Sequence, residues 1–326
     1  MSHLFRCFVL GLMAVASMAA PASAADKIRL AIQKTGSLAW ELDIIKARGL
    51  DRAAELELEI VELASPEAGK IALRGGAADM VVSDWLWVSR ERGLGSDLVF
   101  SPYSSTIGAV MVPGNSAIAS LADLRGKKLG VAGGAIDKSW LMLLAYAKRS
   151  GLDLKKDVTL AFGAPPLLAE KALQGELDAS LNFWNFCADL EAKGFKRILA
   201  MDDVEKALGA KGSVAMLGYV FDGGFATKNA DAITRFLKIT REAKEILAGS
   251  PEEWTKLAPR LGGKDAAALA IYRRRYAEGI PRRTIAEEEA DARALYKVLA
   301  QTGGAELVGT ATELDPGTFY KAKSGS

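Results

Sequence analysis

The 326-residue sequence echoes itself at an offset of about 100 residues. Ala31–Trp40, "AIQKTGSLAW", returns as Val131–Trp140, "VAGGAIDKSW", a strand-like start, a loop and a tryptophan each time. A second unit repeats in the same way. "ALRG" at 72–75 leads to Asp79–Trp85, "DMVVSDW", and "ALQG" at 172–175 leads to Asp178–Trp184, "DASLNFW". In each copy the glycine supplies a helix-ending turn, the aspartate can satisfy amides there, and the strand carries tryptophan to its carboxyl end. Repetition decides architecture before any motif does, and here it calls for two similar lobes. Open α/β sheets bind ligands at the carboxyl ends of their strands, so two such edges facing each other would enclose a small molecule. A tryptophan taken singly is as readily a core residue; four in register favour the shared cleft.

The rest of the chain fits this frame. Ile28–Gln33, Leu56–Leu63, Met80–Ser83, Leu129–Ala132, Val158–Phe162 and Ala179–Phe183 read as strands between longer helical patterns. That alternation predicts an α/β fold with mostly parallel sheets. From Ala230 the pattern turns to helix after helix: Ala232–Ala248, Pro251–Leu261, Lys264–Glu278 and Ile285–Gln301. Gly249–Pro251, Gly262–Gly263 and Gly303–Gly304 read as their stop signals, and the tail after Asp315 is expected to fray.

Residues 1–24 read as a secretory signal: Arg6, an apolar core from Phe8 to Ala20, and the cleavage triplet Ala22-Ser-Ala24. Cys7 precedes the apolar core and does not match a lipoprotein acceptor. Removing this leader removes His3, the one histidine, leaving Cys187 as the single thiol. The mature chain therefore has no Ser-His-Asp or Cys-His nucleophile, no His-rich zinc site and no internal disulfide. Catalysis by carboxylates alone stays open. With 42 basic against 40 acidic residues, nothing recruits nucleic acid or an anionic membrane. About 300 mature residues exceed what one core supports, so two domains are expected.

"GVAGGAIDKSW" at 130–140 sits where a phosphate-binding loop would, yet it fails as one. Asp137 stands where the P-loop motif needs its second glycine. As a plain strand-to-helix turn, Asp137 would be an N-cap.

"KARGL" at 46–50, "ALRGGAADMVVSD" at 72–84, "SLADLRGKKLGVAGG" at 120–134 and "ALQGELDASLNFW" at 172–184 carry a family resemblance. Over roughly residues 26–225 the chain resembles the periplasmic substrate-binding proteins of nitrate, sulfonate and taurine ABC importers, to which thiamine-pyrimidine binders are related. The resemblance implies a type II periplasmic binding fold: lobe 1 from 25–111 and 218–326, lobe 2 from 112–217. Two crossovers, near Val110–Gly114 and Met216–Phe221, would form the hinge, and the C-terminal helices would return to lobe 1. It also implies a periplasmic, monomeric receptor, not an enzyme and without cofactor or metal, serving an inner-membrane permease and its ATPase.

The same resemblance places Thr35, Gly36, Ser37 and Trp40 on the first ligand loop, and Ser83, Asp84 and Trp85 on the second. Ser104, Ser105 and Thr106 would approach from the fourth strand. Gly134, Asp137, Lys138, Ser139 and Trp140 would form lobe 2's ligand loop, its glycines letting backbone close on the ligand. Asn182, Trp184 and Asn185 would complete the set. Trp87 and Cys187 are expected to pack, Asp79 and Asp178 to be structural, and Tyr219 and Phe221 either to wall the cleft or to fill the hinge. With Asp84 and Asp137 on facing loops beside Lys34 and Lys138, a bare inorganic anion would sit poorly. The expected ligand is a neutral, polyhydroxyl or part-cationic organic molecule against the tryptophan faces. Two other readings are an exported sensor uncoupled from transport and a hydrolase using Asp84 and Asp137.

Overall fold

The computed structural model describes residues 25–33 and 36–322. The expected leader, Lys34 and Thr35 lie outside them. The first lobe is laid down as β1 (Asp26–Gln33), α1 (Ser37–Arg48), α2 (Leu50–Ala53), β2 (Leu56–Leu63), α3 (Pro66–Arg74), β3 (Met80–Asp84), α4 (Trp85–Gly93) and β4 (Leu98–Ser104). The second follows as β5 (Ala109–Pro113), a 3₁₀ turn at Leu121–Leu124, β6 (Lys128–Ala132), α5 (Lys138–Arg149), α6 (Leu154–Asp157) and β7 (Thr159–Gly163). It ends with α7 (Pro165–Leu173), β8 (Ala179–Asn182), α8 (Trp184–Ala192), β9 (Phe195–Ala200) and α9 (Met201–Leu208). The chain then returns through β10 (Leu217–Asp222) to α10 (Gly223–Lys228), α11 (Ala230–Gly249), α12 (Pro251–Leu257), α13 (Ala266–Glu278) and α14 (Ile285–Val308).

Two five-stranded sheets result, ordered β2-β1-β3-β10-β4 and β7-β6-β8-β5-β9. In each, the one strand that arrives from the other lobe is antiparallel: β10 lies between β3 and β4, and β5 between β8 and β9. The reason is geometric. A chain leaving one sheet at its carboxyl edge enters the facing sheet at that sheet's carboxyl edge, and so runs against its neighbours. The two copies of the "RGG/QGE…D" unit confirm the expected structural aspartates. Asp79 accepts the Arg29 amide within β1 at 2.8 Å and Asp178 the Lys128 amide at the start of β6 at 2.7 Å, each bracing a strand at the middle of its lobe's parallel set.

The crossings differ from expectation. Val110–Gly114 and Met216–Phe221 fall almost wholly on strands β5 and β10; the chain passes between sheets at 105–108 and 209–216. Their apolar residues pair in sheets, and the irregular backbone is left to the segments just before them. Gly303–Gly304 does not stop α14 either: Gly304, at φ 63°, kinks it, and the helix resumes to Val308. The tail is tied down where fraying was expected. Phe100 donates its amide to the Thr318 carbonyl and accepts from the Tyr320 amide, both at 2.8 Å, and Phe319 is buried against the Phe100 ring.

The C-terminal helices return to lobe 1, where α11 packs on α1, α2 and β2. Two of them also reach across: α13 packs on α8 of lobe 2, and α14 on α5 and α9 of lobe 2 as well as α4 of lobe 1. Tyr219 and Phe221 are fully buried on β10 and pack in the core of lobe 1, neither walling the cleft nor filling the hinge, and Trp87 and Cys187 are buried as expected. Among the described residues no helix is long and apolar enough to cross a membrane.

Candidate functional site

Four strand-to-helix turns meet where the sheet edges face each other, and each lobe has one turn capped by an acid and one without a side-chain cap. Asp84 caps α4 through the Trp87 amide at 2.8 Å, and Asp137 caps α5 through the Ser139 and Trp140 amides at 2.9 and 3.3 Å. At α1 and α8 the cap positions are Gly36 and Phe183, with no side-chain acceptor. The acid-capped turns belong to different lobes, and so do the uncapped ones.

The acid-capped turns meet through an ion pair between Lys138 Nζ and Asp84 Oδ2, at 2.9 Å. Burial pushes the Asp84 carboxyl up, but the Lys138 charge and hydrogen bond outweigh it and hold the group below the usual carboxylate range. The Lys138 ammonium is correspondingly raised, first by Asp84. Burial raises Asp137, and Lys138 and the two capped amides only partly offset this. Trp85 and Trp140 turn inward behind this pair. Both are at most 1% exposed and belong to one core, Trp85 against Tyr296 of α14 and Trp140 edge-on to Phe162.

The uncapped turns meet through tryptophan. Trp40 and Trp184 stand edge-to-face across the lobes at 5.8 Å, within a cluster completed by Trp254, Tyr272 and Tyr276. Beneath it lies a polar cage. Lys244 Nζ is 2.5 Å from Glu41 Oε1 and 3.8 Å from the centre of the Tyr103 ring, while the Tyr276 hydroxyl donates to Glu41 at 2.6 Å. Burial lowers the Lys244 ammonium and Glu41 partly restores it; burial and then Glu41 raise the Tyr103 and Tyr276 hydroxyls well above their ordinary value. A small cavity of about 10 Å³ opens here, lined by Ser37, Ser104, Trp184 and the cage.

Of the expected site residues, the structure thus gathers Ser37, Ser104 and Trp184 on one side and Asp84, Asp137, Lys138 and Ser139 on the other. Ser37 shares a 2.8 Å hydrogen bond with the Tyr103 hydroxyl. Ser105 and Thr106 line a second cavity, of about 90 Å³, formed where both crossings pass. Gly134, at φ 154°, and Asn185 at the start of α8 are partly exposed near the edge of lobe 2. Asn182 is turned into its own lobe, donating to the Pro165 carbonyl and accepting the Phe183 amide. Ser83 is buried in β3.

Two expectations are corrected. The tryptophans do not offer faces to a ligand here: Trp85 and Trp140 are core, and Trp40 (3% exposed) and Trp184 (9%) pack edge-to-face on each other. The acids do not present bare negative charge, since Lys138 answers Asp84 and helix amides answer Asp137, so the argument against an anionic ligand loses its premise. Sequence reading missed Glu41 and Lys244, although each breaks an apolar stripe. Glu41 lies at helical spacing from Leu38 and Ile45, and Lys244 from Thr240 and Leu247. It also missed Arg197, which lines the second cavity.

Residues 46–254 match the family model described as NMT1/THI5 like. No curated protein sequence matches. Among solved structures, the periplasmic aliphatic sulphonate binding protein SsuA of Escherichia coli superposes with a TM-score of 0.69 at 21% identity, covering 87% of this chain and 94% of that one. The alkanesulfonate-binding protein SsuA of Xanthomonas axonopodis pv. citri, bound to MOPS, gives 0.64 at 19%, over 91% and 99%. The desulfurization enzyme DSZB gives 0.60 at 15%, over 90% and 96%.

Proposed function

Because this chain belongs to the NMT1/THI5-like family, we propose that it is a periplasmic receptor that closes on a small organic solute between its lobes. It then hands the solute to an inner-membrane ABC-type permease powered by an ATPase. The observation that carries this reading is the pair of contacts made across the cleft, Asp84 with Lys138 and Trp40 with Trp184, between lobes joined by two crossings. Such contacts form on closure and part on opening, as a hinged clamp requires. The structurally similar proteins named for sulfonates make alkanesulfonates the first solutes to try. The working form is a monomer with no nucleic-acid partner.

Asp84 and Asp137 weigh against a hydrolase built on them. Asp84 holds an amide with one oxygen and Lys138 with the other, which leaves it no free oxygen for a substrate proton, and Asp137 gives its Oδ1 to two amides as a helix cap. An exported sensor uncoupled from transport would keep the same clamp. Neighbouring genes for a permease and an ATPase separate it from the transport receptor.

The test is native mass spectrometry of protein purified without denaturation, followed by titration with the co-purifying solute and with alkanesulfonates. Binding should stabilise the folded protein by RT ln(1 + [L]/Kd), which raises the melting temperature, and should change the fluorescence of the Trp40–Trp184 pair. Solution scattering should show the molecule contract. Equal radii of gyration with and without saturating solute would end the clamp reading.

A further inference from the structure

We propose that the cavity at the hinge is the subsite for an oxyanion group on the solute, with the Arg197 guanidinium as its counter-ion; this rests on the receptor reading above. The cavity is walled by the first crossing at 105–108, Ser213 of the second, Arg197 of β9, Asp202 of α9 and Glu278 at the end of α13. At about 90 Å³ it exceeds by several-fold the roughly 10–15 Å³ that admits one water. A carboxylate, sulfonate or phosphonate head with a short stem fits that space.

The charge pairing around the cavity singles out Arg197. Glu191 takes Arg274 at 2.5 Å and Arg275 at 2.8 and 2.9 Å, Glu278 takes Arg275 at 3.0 Å with both oxygens, and Asp202 takes Lys206 at 3.1 Å. The carboxylates are therefore matched by other cations. Arg197 comes no nearer than 4.0 Å to Glu191 and 3.9 Å to Glu278, beyond hydrogen-bonding reach, and its Nε and Nη2 are buried with no partner among the described residues. A buried guanidinium edge left without an acceptor costs free energy, and an oxyanion that presents two oxygens to it satisfies two of its donors at once. Burial and then the neighbouring Arg275 charge depress the Arg197 pKa, the same need for a counter-ion seen from the proton's side. Helix α9 also begins at this wall, its Met201 amide on the Gly108 carbonyl and its N-cap, Ala200, lacking a side-chain acceptor. That adds the positive end of a helix dipole. A ligand head held here touches both crossings, so its binding acts directly on the hinge.

The test uses the mature protein and a matched probe set: propionate, ethanesulfonate, ethylphosphonate and the neutral propanamide. At least one anion should raise the melting temperature and shift the Arg197 Nε–H resonance, while propanamide does neither; the strongest names the head group. Arg197→Gln should weaken that anion about 10- to 100-fold. Arg197→Lys should fall between, because it keeps the charge and loses the fork. Should Arg197→Gln fail to fold, Thr106→Val and Ser213→Ala, which leave every charge in place, should each cost a few-fold in affinity. Undiminished anion binding in a folded Arg197→Gln, or binding that leaves the Arg197 resonance unmoved, overturns the subsite and leaves the receptor reading intact. So does a neutral co-purifying solute with no response to any anion. Failure of the parent to bind or contract around any solute removes the receptor reading and the subsite together.

Discussion

The two flanks of the cleft are built from the same repeated unit yet join the lobes by different physics. On one flank Trp40 of lobe 1 meets Trp184 of lobe 2, with α13 and its tyrosines completing an apolar seam. On the other, Asp84 of lobe 1 meets Lys138 of lobe 2, with α14 packed behind. The repeat explains the pairing. Facing lobes oppose the first turn of one to the second turn of the other, so Trp40 pairs with Trp184 and the turn before Trp85 with the turn before Trp140. The contrast teaches that the echo specified backbone position, and that the cap residue decided chemistry. An acid at the cap brings charge to the edge and sends its tryptophan into the core; Gly36 and Phe183 bring none and leave the rings to meet.

The aromatic flank should be the harder one to lose. Trp40→Ala empties a ring's volume from a buried cluster, and a loss of about 3–5 kcal/mol in urea unfolding is expected; a change under about 1 kcal/mol would mean the seam holds nothing.

The α14 flank should answer to pH instead. Glu205 of α9 and Glu288 of α14 are fully buried and accept the consecutive Val214 and Ala215 amides of the second crossing, at 3.0 and 2.8 Å. Burial pushes the Glu205 carboxyl up to about 8, with Asp202 and Glu288 adding to the shift, the Val214 amide and Lys206 opposing it, and Arg283 and Asp291 standing beside Glu288. Unfolded, a glutamate ionises near about 4.3, so between these values the folded state holds the extra proton. Stability from this group is therefore complete below about pH 4.3, falls by up to about 1.4 kcal/mol per pH unit as pH rises toward about 8, and is level above that. Glu205→Gln keeps an acceptor for the Val214 amide and removes the titration, so its stability relative to the parent should rise from about pH 5 to about pH 8. Parallel curves for the two proteins would sink this.

The smallest effect is expected at the ion pair itself. Asp84→Asn keeps the cap on the Trp87 amide and gives up only the charge toward Lys138, whose side chain is 30% exposed and partly screened. A loss of about 1 kcal/mol, shrinking in high salt, is expected. A cost matching that of Trp40→Ala would erase the difference between the flanks.

Local pattern made much of this fold legible. Alternating apolar runs located β1, β2, β3, β6, β7 and β8 to within about two residues, because a strand's side-chain period is written in adjacent positions. The Asp79 and Asp178 braces were legible for the same reason. The crossings were not, because β5 and β10 are short, mostly buried strands whose apolar runs look like any connecting segment until a sheet claims them. The tail from Asp315 also looked frayed, since nothing local announces that Thr318 and Tyr320 will pair with Phe100, more than 200 residues earlier.

By itself, then, the sequence determined that there are two lobes, where their carboxyl edges lie and which loops reach them, since these follow from spacing and turn chemistry. Which residues face a ligand was decided only by tertiary structure. Trp85 went to the core against Tyr296 of α14, and Trp140 against Phe162 of β7. Glu41 found Lys244 across 203 residues of chain, and Arg197 Nε and Nη2 were left at the hinge without an acceptor among the described residues because Arg274 and Arg275 took the nearby carboxylate first. Burial and charge pairing are sums over everything within a few ångströms, and no local stretch of sequence contains those neighbours.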